Sequence, residues 1–472
     1  MRPLPAPAGR SDRPRRAERR SAEGSARRGP ARAGGAGDAG GEQGSDRRGG
    51  RPSGGGRWLA WMSPPARRIV AYAAIAGPGV IAANAGNDAG GIATFASAGA
   101  QFAYRTLFLM VLITICLVMV QEMSVRLGTF TGKGLAALIR EQFSLRLTGV
   151  ALFAVLLANT GLVVSEFAGI GAAFELFHVS RYIVVPIAAL AIWALVLFGS
   201  YRYAERAFLV LSLVFFAYPL AMLLGHPHWS EVGANLAVPH FLADKQFLLL
   251  GVALIGTTVS PYMQLYAASG VVDRGANPED YRNARLDAVL GATFSAIISM
   301  TITIATAAAI GGRGPLQTAE QAAQALRPVA GSAAVALFAV GLFGASALAG
   351  AVVPLSSSYA ISEAVGVERS VSRRFREAPL FLGLFTFQVF LGALVALTPV
   401  NLFTLLIGTQ VLEGLVTPIV LAFILTLSNR RSLLGNAANP PLFRAVATVA
   451  VVGISLMSLF LLLQTVLGWF GV

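Results

Sequence analysis

The sequence predicts an all-α membrane protein of eleven spanning helices, arranged as two inverted five-helix repeats plus one, with helices 1 and 6 interrupted. Three observations lead there. Only 13% of the 472 residues are charged and 55% are hydrophobic, where an average soluble domain carries about 25% charged residues. The apolar residues arrive in blocks of the length that crosses a bilayer, about 20 residues for ~30 Å of hydrocarbon. Two of those blocks, five apart in order, carry clusters of helix breakers where a spanning helix should be continuous.

The N-terminal residues stand apart from this pattern. Residues 1–68 hold 16 of the 37 Lys and Arg and 6 of the 23 Asp and Glu, so they carry +10 of the net +14. They are rich in Gly, Ala, Pro, Ser and Arg and show no apolar periodicity before Trp58, a composition that cannot bury enough surface to order itself. The expected division is a disordered basic arm over 1–61 and a transmembrane domain over 62–472. No apolar core follows the arm's charges within its first 30 residues, so it does not read as a signal peptide. Its charge suits anionic lipid at a membrane surface. As an RNA-binding tail it lacks an aromatic platform, and no nucleic-acid partner is expected. Translation beginning at Met62 would remove it altogether.

From Ile69 onward the spanning segments fall at 69–104, 106–126, 147–175, 181–199, 205–225, 246–270, 284–311, 330–360, 378–397, 400–427 and 443–470. Ala, Gly and Ser recur throughout them, as where helices approach closely in lipid. With the N-terminus inside, the inner loops hold sixteen Lys and Arg beyond the arm. The outer loops hold five: Arg105, Arg181, Lys245, Arg313 and Arg327. That imbalance satisfies the positive-inside rule, and an odd helix count places Val472 outside. The composition, rich in Ala, Arg and Gly, fits a bacterial inner membrane. The single cysteine, Cys116, excludes a multi-cysteine metal site and reads as a small packing residue. His178, His226, His228 and His240 all fall in outer loops; the His226-Pro227-His228 pair reads as surface. No nucleophile–base constellation or phosphate loop is present, so neither an enzyme nor a resident cofactor is expected, and no obligate protein partner is evident.

The two interrupted segments carry the chemistry. The first, IVAYAAIAGPGVIAANAGNDAGGIATFASAGAQFAY, places Gly77, Pro78, Gly79, Gly86, Gly90 and Gly91 around one acid, Asp88. The sixth, FLLLGVALIGTTVSPYMQLYAASG, contains Gly256, Thr257, Thr258, Ser260 and Pro261. A charged side chain at the centre of a spanning helix costs about 3 kcal/mol on insertion scales, and unwound backbone is tolerated only where it lines a cavity. Paired breaks with an acid between them point to a site at the midplane, where half-helix ends offer carbonyls and dipole ends to an ion. A pair of simple kinks is the plainer alternative, and the position of Asp88 counts against it.

These motifs resemble the Nramp family of divalent-metal transporters. GPGVIAANAGNDAGGIATFASAGAQFAY is similar to the family's first helix, with its Asp-Pro-Gly-Asn hallmark and Ala-Gly-Ala-Gln tail. VMVQEMSVRLGTFTGKGLAALIRE resembles the second helix and the loop after it, TVSPYMQLYAAS the sixth helix, and LLIGTQVLEGLVTPIVLAFILTLSNRRSLLG the tenth. The likeness runs from about residue 70 to the C-terminus. It implies a LeuT-type fold and alternating access, with a divalent ion as substrate and the lipid bilayer as surroundings.

By that resemblance the metal site comprises Asp88, the Ala85 and Thr257 carbonyls, Gln410, and the positions of Gly91 and Ser260. The last two stand where the family has Asn and Met, so an amide and a thioether are missing. Ala89 replaces the motif proline. On the family's proton route Glu166 matches, while Val163 stands for an aspartate and Tyr262 for a histidine. Sulfur favours softer transition metals over Mg²⁺, so these departures resemble the Nramp-related magnesium transporters. A proton-coupled Mn²⁺/Fe²⁺ importer and a LeuT-type carrier of a small organic solute are the alternatives. Glu122 and Glu413 are expected to pair with Arg126 or with backbone, and Glu175 lies at a helix end.

Overall fold

Eight segments among the described residues are helical, long and apolar enough to cross a membrane. The structure, a computed structural model, describes residues 87–198, 210–211, 213–240, 244–367 and 376–469. The basic arm, the opening of segment one with Ala85, and the start of segment five lie outside the described residues.

The helices are α1 (Ala89–Phe102), α2 (Leu107–Thr131), α3 (Leu135–Gln142), α4 (Leu145–Glu175), α5 (Arg181–Leu197), α6 (Ala217–Leu224), α7 (Trp229–Ala237), α8 (Lys245–Thr258), α9 (Pro261–Asp273), α10 (Tyr281–Ile310), α11 (Ala334–Val365), α12 (Pro379–Ala396), α13 (Leu402–Asn429) and α14 (Pro441–Trp469). No strand occurs among the described residues. The predicted segments match these helices to within a few residues wherever both are described. α8 and α9 form one broken span and the most deeply embedded one, 83% buried over its apolar window, while α14 at 28% lies at the periphery. α4 packs along α11, α12 and α13; α1 is held between α10, α13, α8 and α4; and α8 lies against α13. α1 and the broken span α8–α9 therefore stand at the centre of the bundle.

Local chemistry accounts for the break in segment six. Pro261 occupies the first turn of α9, and the residue before a proline is driven out of the α region. Ser260 accordingly has ψ 134°, and α8 ends at Thr258. The last carbonyls of α8 lose their intrahelical partners. The Ser260 hydroxyl turns back and donates to the carbonyls of Gly256 at 2.9 Å and Thr257 at 3.3 Å. At Pro418 inside α13 the freed carbonyl of Gly414 is instead taken by the Ser458 hydroxyl of α14 at 2.9 Å.

One boundary differs from expectation for a stated reason. α2 runs past residue 126 to Thr131 and stops where Gly132 adopts φ 65°, a left-handed conformation that suits glycine. Arg126 does not end the helix, because it is not at the surface. Its guanidinium meets Glu122 one turn earlier at 2.9 Å and also donates to the Ala437 carbonyl and Asn439 Oδ1. The Tyr281 hydroxyl of α10 donates to the other Glu122 oxygen. This buried ion pair ties α2 to α10 and to the turn before α14. Removing one partner of such a pair costs about 3–5 kcal/mol, since the other charge is left uncompensated. Glu122→Ala should therefore lower the melting temperature of the purified protein markedly, as followed by intrinsic fluorescence. An unchanged melting temperature would show that the pair does not hold the fold.

Candidate functional site

The site begins at the N-terminus of α1. Asp88 is its N-cap residue and accepts from the Gly91 N–H through Oδ1 at 2.6 Å. Its second oxygen, Oδ2, is buried and has no hydrogen-bond partner. A capping aspartate is ordinary; one with a free oxygen inside a membrane protein is not, because a buried charge is costly until something satisfies it. Asp88 is 2% exposed.

Gly90 fixes what stands opposite. A Cβ added there would come within 2.7 Å of Gln410 Cδ and 2.5 Å of Ser165 Oγ, so only a glycine allows α13 and α4 to approach this closely. Gln410 is fully buried, and neither its amide nitrogen nor its oxygen finds a partner. On α8, Gly256 serves the same purpose. Its added Cβ would stand 2.5 Å from the Gly414 nitrogen of α13, which brings the Thr257–Ser260 break against Gln410. The Thr257 hydroxyl is buried and unpartnered as well.

The sequence-predicted residues are thus largely brought together. Asp88, Gln410, Thr257 and Ser260 meet at the ends of α1 and α8. Gly91 lends its N–H to Asp88 and contributes no side chain. Tyr262 is buried within electrostatic range of Asp88, Glu166 and Glu413. Glu166 is fully buried on α4 beside Gly350 of α11 and faces the Ala89 amide, yet both of its oxygens lack a hydrogen bond of normal geometry. Val163 stands apart: it packs on Gly392 of α12, in a helix–helix contact. Ala85 lies outside the described residues.

Two expectations about the remaining acids are met and one is corrected. Glu122 pairs with Arg126, and Glu175 lies 3.6 Å from Arg181 at the end of α4. Glu413 does neither. It is fully buried, the Ser260 hydroxyl faces it without closing a normal hydrogen bond, and both its oxygens are unpartnered. Arg126, the one buried basic side chain among the described residues, is already engaged by Glu122. Sequence reasoning missed Glu413, although one signal was present: it lies three residues after Gln410, on the same helical face. No group of three His, Cys, Asp or Glu side chains is arranged to hold a metal ion among the described residues. An ion here would rely on carbonyl, hydroxyl and amide oxygens beside the carboxylates.

A broken central helix and buried acids with unpartnered oxygens fit a membrane transporter with its site between helix ends. Comparison with known proteins gives the family. The profile described as "Natural resistance-associated macrophage protein-like" matches residues 79–464, and the chain belongs to the Nramp family. It is 28% identical over 408 residues to the divalent metal cation transporter MntH of Verminephrobacter eiseniae, covering 83% of this chain and 89% of that one. It is 29% identical over 427 residues to MntH 1 of Pseudomonas aeruginosa, covering 86% and 93%. Among solved structures, the Eremococcus coleocola manganese transporter, bound to an aromatic bis-isothiourea substituted compound, superposes with TM-score 0.70 at 21% identity over 86% of this chain and 89% of that one. MhsT in complex with L-phenylalanine gives 0.50 at 14% identity over 82% and 97%. The fold is LeuT-type, and the relatives named are transporters, not enzymes.

The close approach at Gly90 yields a test. The obstructing atoms belong to the flexible ends of Gln410 and Ser165, so Gly90→Ala should fold while displacing the Gln410 amide from the first turn of α1. Uptake should fall by up to about 10-fold, the lower end of the loss expected when a supporting contact of an ion site is removed, with the melting temperature nearly unchanged. Uptake equal to wild type would mean that Gln410 does not need this position.

Proposed function

We propose that the chain is a secondary transporter that moves divalent metal ions across the membrane by alternating access, accepting Mg²⁺ alongside Mn²⁺ without tight proton coupling. The observation behind this is a buried set of oxygen donors from Asp88, Thr257, Ser260 and Gln410, with no sulfur or basic side chain among them. Carboxylate, carbonyl and hydroxyl oxygens suit hard cations, whereas thioether donors select softer ones. Mg²⁺ keeps several waters and is held through one or two carboxylates, which suits the space left by Gly91 and Ser260. The Ala85 carbonyl belongs to the same proposed shell. Relatives named as divalent metal cation transporters support the choice of ion class. Their bacterial origin and the loop charges support an inner-membrane location with the N-terminus in the cytoplasm.

Weak coupling follows from the residues at Val163, which packs on α12, and Tyr262, which does not exchange protons readily near neutral pH. One observation favours a second reading, a proton-coupled Mn²⁺ importer. Glu166 is a buried carboxylate with no counter-charge and could carry a proton in exchange for the ion.

Proteoliposomes that report metal entry and internal pH together separate the two. Mg²⁺ should compete with Mn²⁺ at comparable concentrations, and the lumen should not acidify. Proton influx with each metal, or exclusion of Mg²⁺, would establish the coupled importer instead. Asp88→Ala should abolish uptake in a folded protein, while Gln410→Ala, which removes a neutral donor, should weaken it by about 10-fold. Ser260→Met should raise the preference for Mn²⁺ and Cd²⁺ over Mg²⁺ without restoring proton movement. Amino acids serve as controls; their transport in place of metal would overturn the proposal.

A further inference from the structure

Resting on the metal-transport reading above, we infer that Glu413 of α13 is a second carboxylate ligand of the transported ion, supplying the negative charge that Asp88 alone does not. Buried acids are handled in two ways in this chain. Glu122, equally deep, has Arg126 at 2.9 Å and the Tyr281 hydroxyl. Glu413 is fully buried with both oxygens unpartnered, and Asp88 and Glu166 are its charged neighbours. With Arg126 engaged by Glu122, no base among the described residues offsets the like charge gathered there, and a bound divalent cation would.

The backbone delivers Glu413 to the helix break. Gly256 and Gly414 allow α8 and α13 to touch, and Glu413 lies one turn after the unpartnered, fully buried Gln410 on the same face. The Ser260 hydroxyl, at the start of α9, faces it. Glu166 does not compete for this role. Its carboxylate faces the Ala89 amide at the N-terminus of α1, where a negative charge is stabilised by the helix dipole. Asp88 and Glu413 therefore flank the break from opposite helices. Their two charges match a divalent cation, and their oxygens form a hard donor set.

A charge-neutral isostere and a soft donor test this in the purified full-length chain. Titration of wild type with Mn²⁺ and Cd²⁺ sets the reference, and Asp88→Ala gives the ligand-free control. Glu413→Gln keeps the shape and should weaken Mn²⁺ binding by about 10–100-fold; Glu413→Asp should recover most of it. Glu413→Cys places sulfur at the proposed contact and should raise the Cd²⁺ preference over Mn²⁺ by about 10-fold or more. A residue that merely supported the fold would not move that ratio. Wild-type Cys116 is buried on α2 and provides the background. Should the glutamine variant fail to fold, the metal preference of the cysteine variant decides. Mn²⁺ binding and Cd²⁺ preference unchanged in these variants, while Asp88→Ala abolishes binding, would overturn the role of Glu413 and leave the transport reading standing. A wild-type chain that binds no divalent ion would overturn the transport reading itself.

Discussion

Asp88, Glu166 and Glu413 are buried together with no basic side chain among the described residues to neutralise them, and the arrangement of the helices around them follows from that. In a low-dielectric interior an uncompensated carboxylate is held only by surrounding structure that leaves it no other option. The chain meets this demand with helix ends. The first turn of α1 presents an N–H to Asp88 and another toward Glu166. The end of α8 presents carbonyls and hydroxyls, the opposite polarity, to the same space. Opposed dipole ends at one point create a place where a cation and its acid ligands can both be stabilised.

The chain deals with buried charge in two ways. At Glu122 the acid is matched inside the protein, by Arg126 on the next turn and by Tyr281 across the helix contact. The result is a fixed tie between α2, α10 and the turn before α14. Around Asp88 no such match stands among the described residues, and the acids keep unpartnered oxygens. The difference is set by one feature, the presence or absence of a buried base within reach. Small residues make the second arrangement possible: Gly90, Gly256 and Gly414 bring four helices close enough for their polar groups to converge.

Much of this was legible in the sequence because breakers and acids are rare in spanning helices, so each one carries information. The break at Ser260–Pro261 and the cap at Asp88 fall where the residues require them. The meeting of Asp88 with Gln410 was available only through the family resemblance, since a glutamine in an apolar helix has no spacing signature of its own. Glu413 was legible only in part. The i,i+4 spacing of Glu122 and Arg126 already assigns that base to Glu122, and Glu413 shares a helical face with Gln410, but the sequence does not show that no other base reaches it. Val163 was placed on the proton route only by the resemblance, as the position where an aspartate is missing; its packing against Gly392 of α12 has no signal in the sequence.

The distribution of the polar groups also says how an ion could drive a conformational change. Asp88 belongs to α1, Thr257 and Ser260 to the ends of α8 and α9, and Gln410 and Glu413 to α13, so no single helix holds a complete site. A cation bound among them would draw these elements together by opposite charge. Without one, no basic side chain among the described residues offsets the three acids. The two conditions favour different spacings of the same helices, and a ligand shifts a conformational equilibrium by its difference in affinity between the states. The break at Val259–Ser260 gives α8 and α9 a point at which to move separately, because no helical hydrogen bond has to be lost there. A continuous helix carrying the same residues would bind the ion in one fixed geometry, with no means of releasing it to the other side.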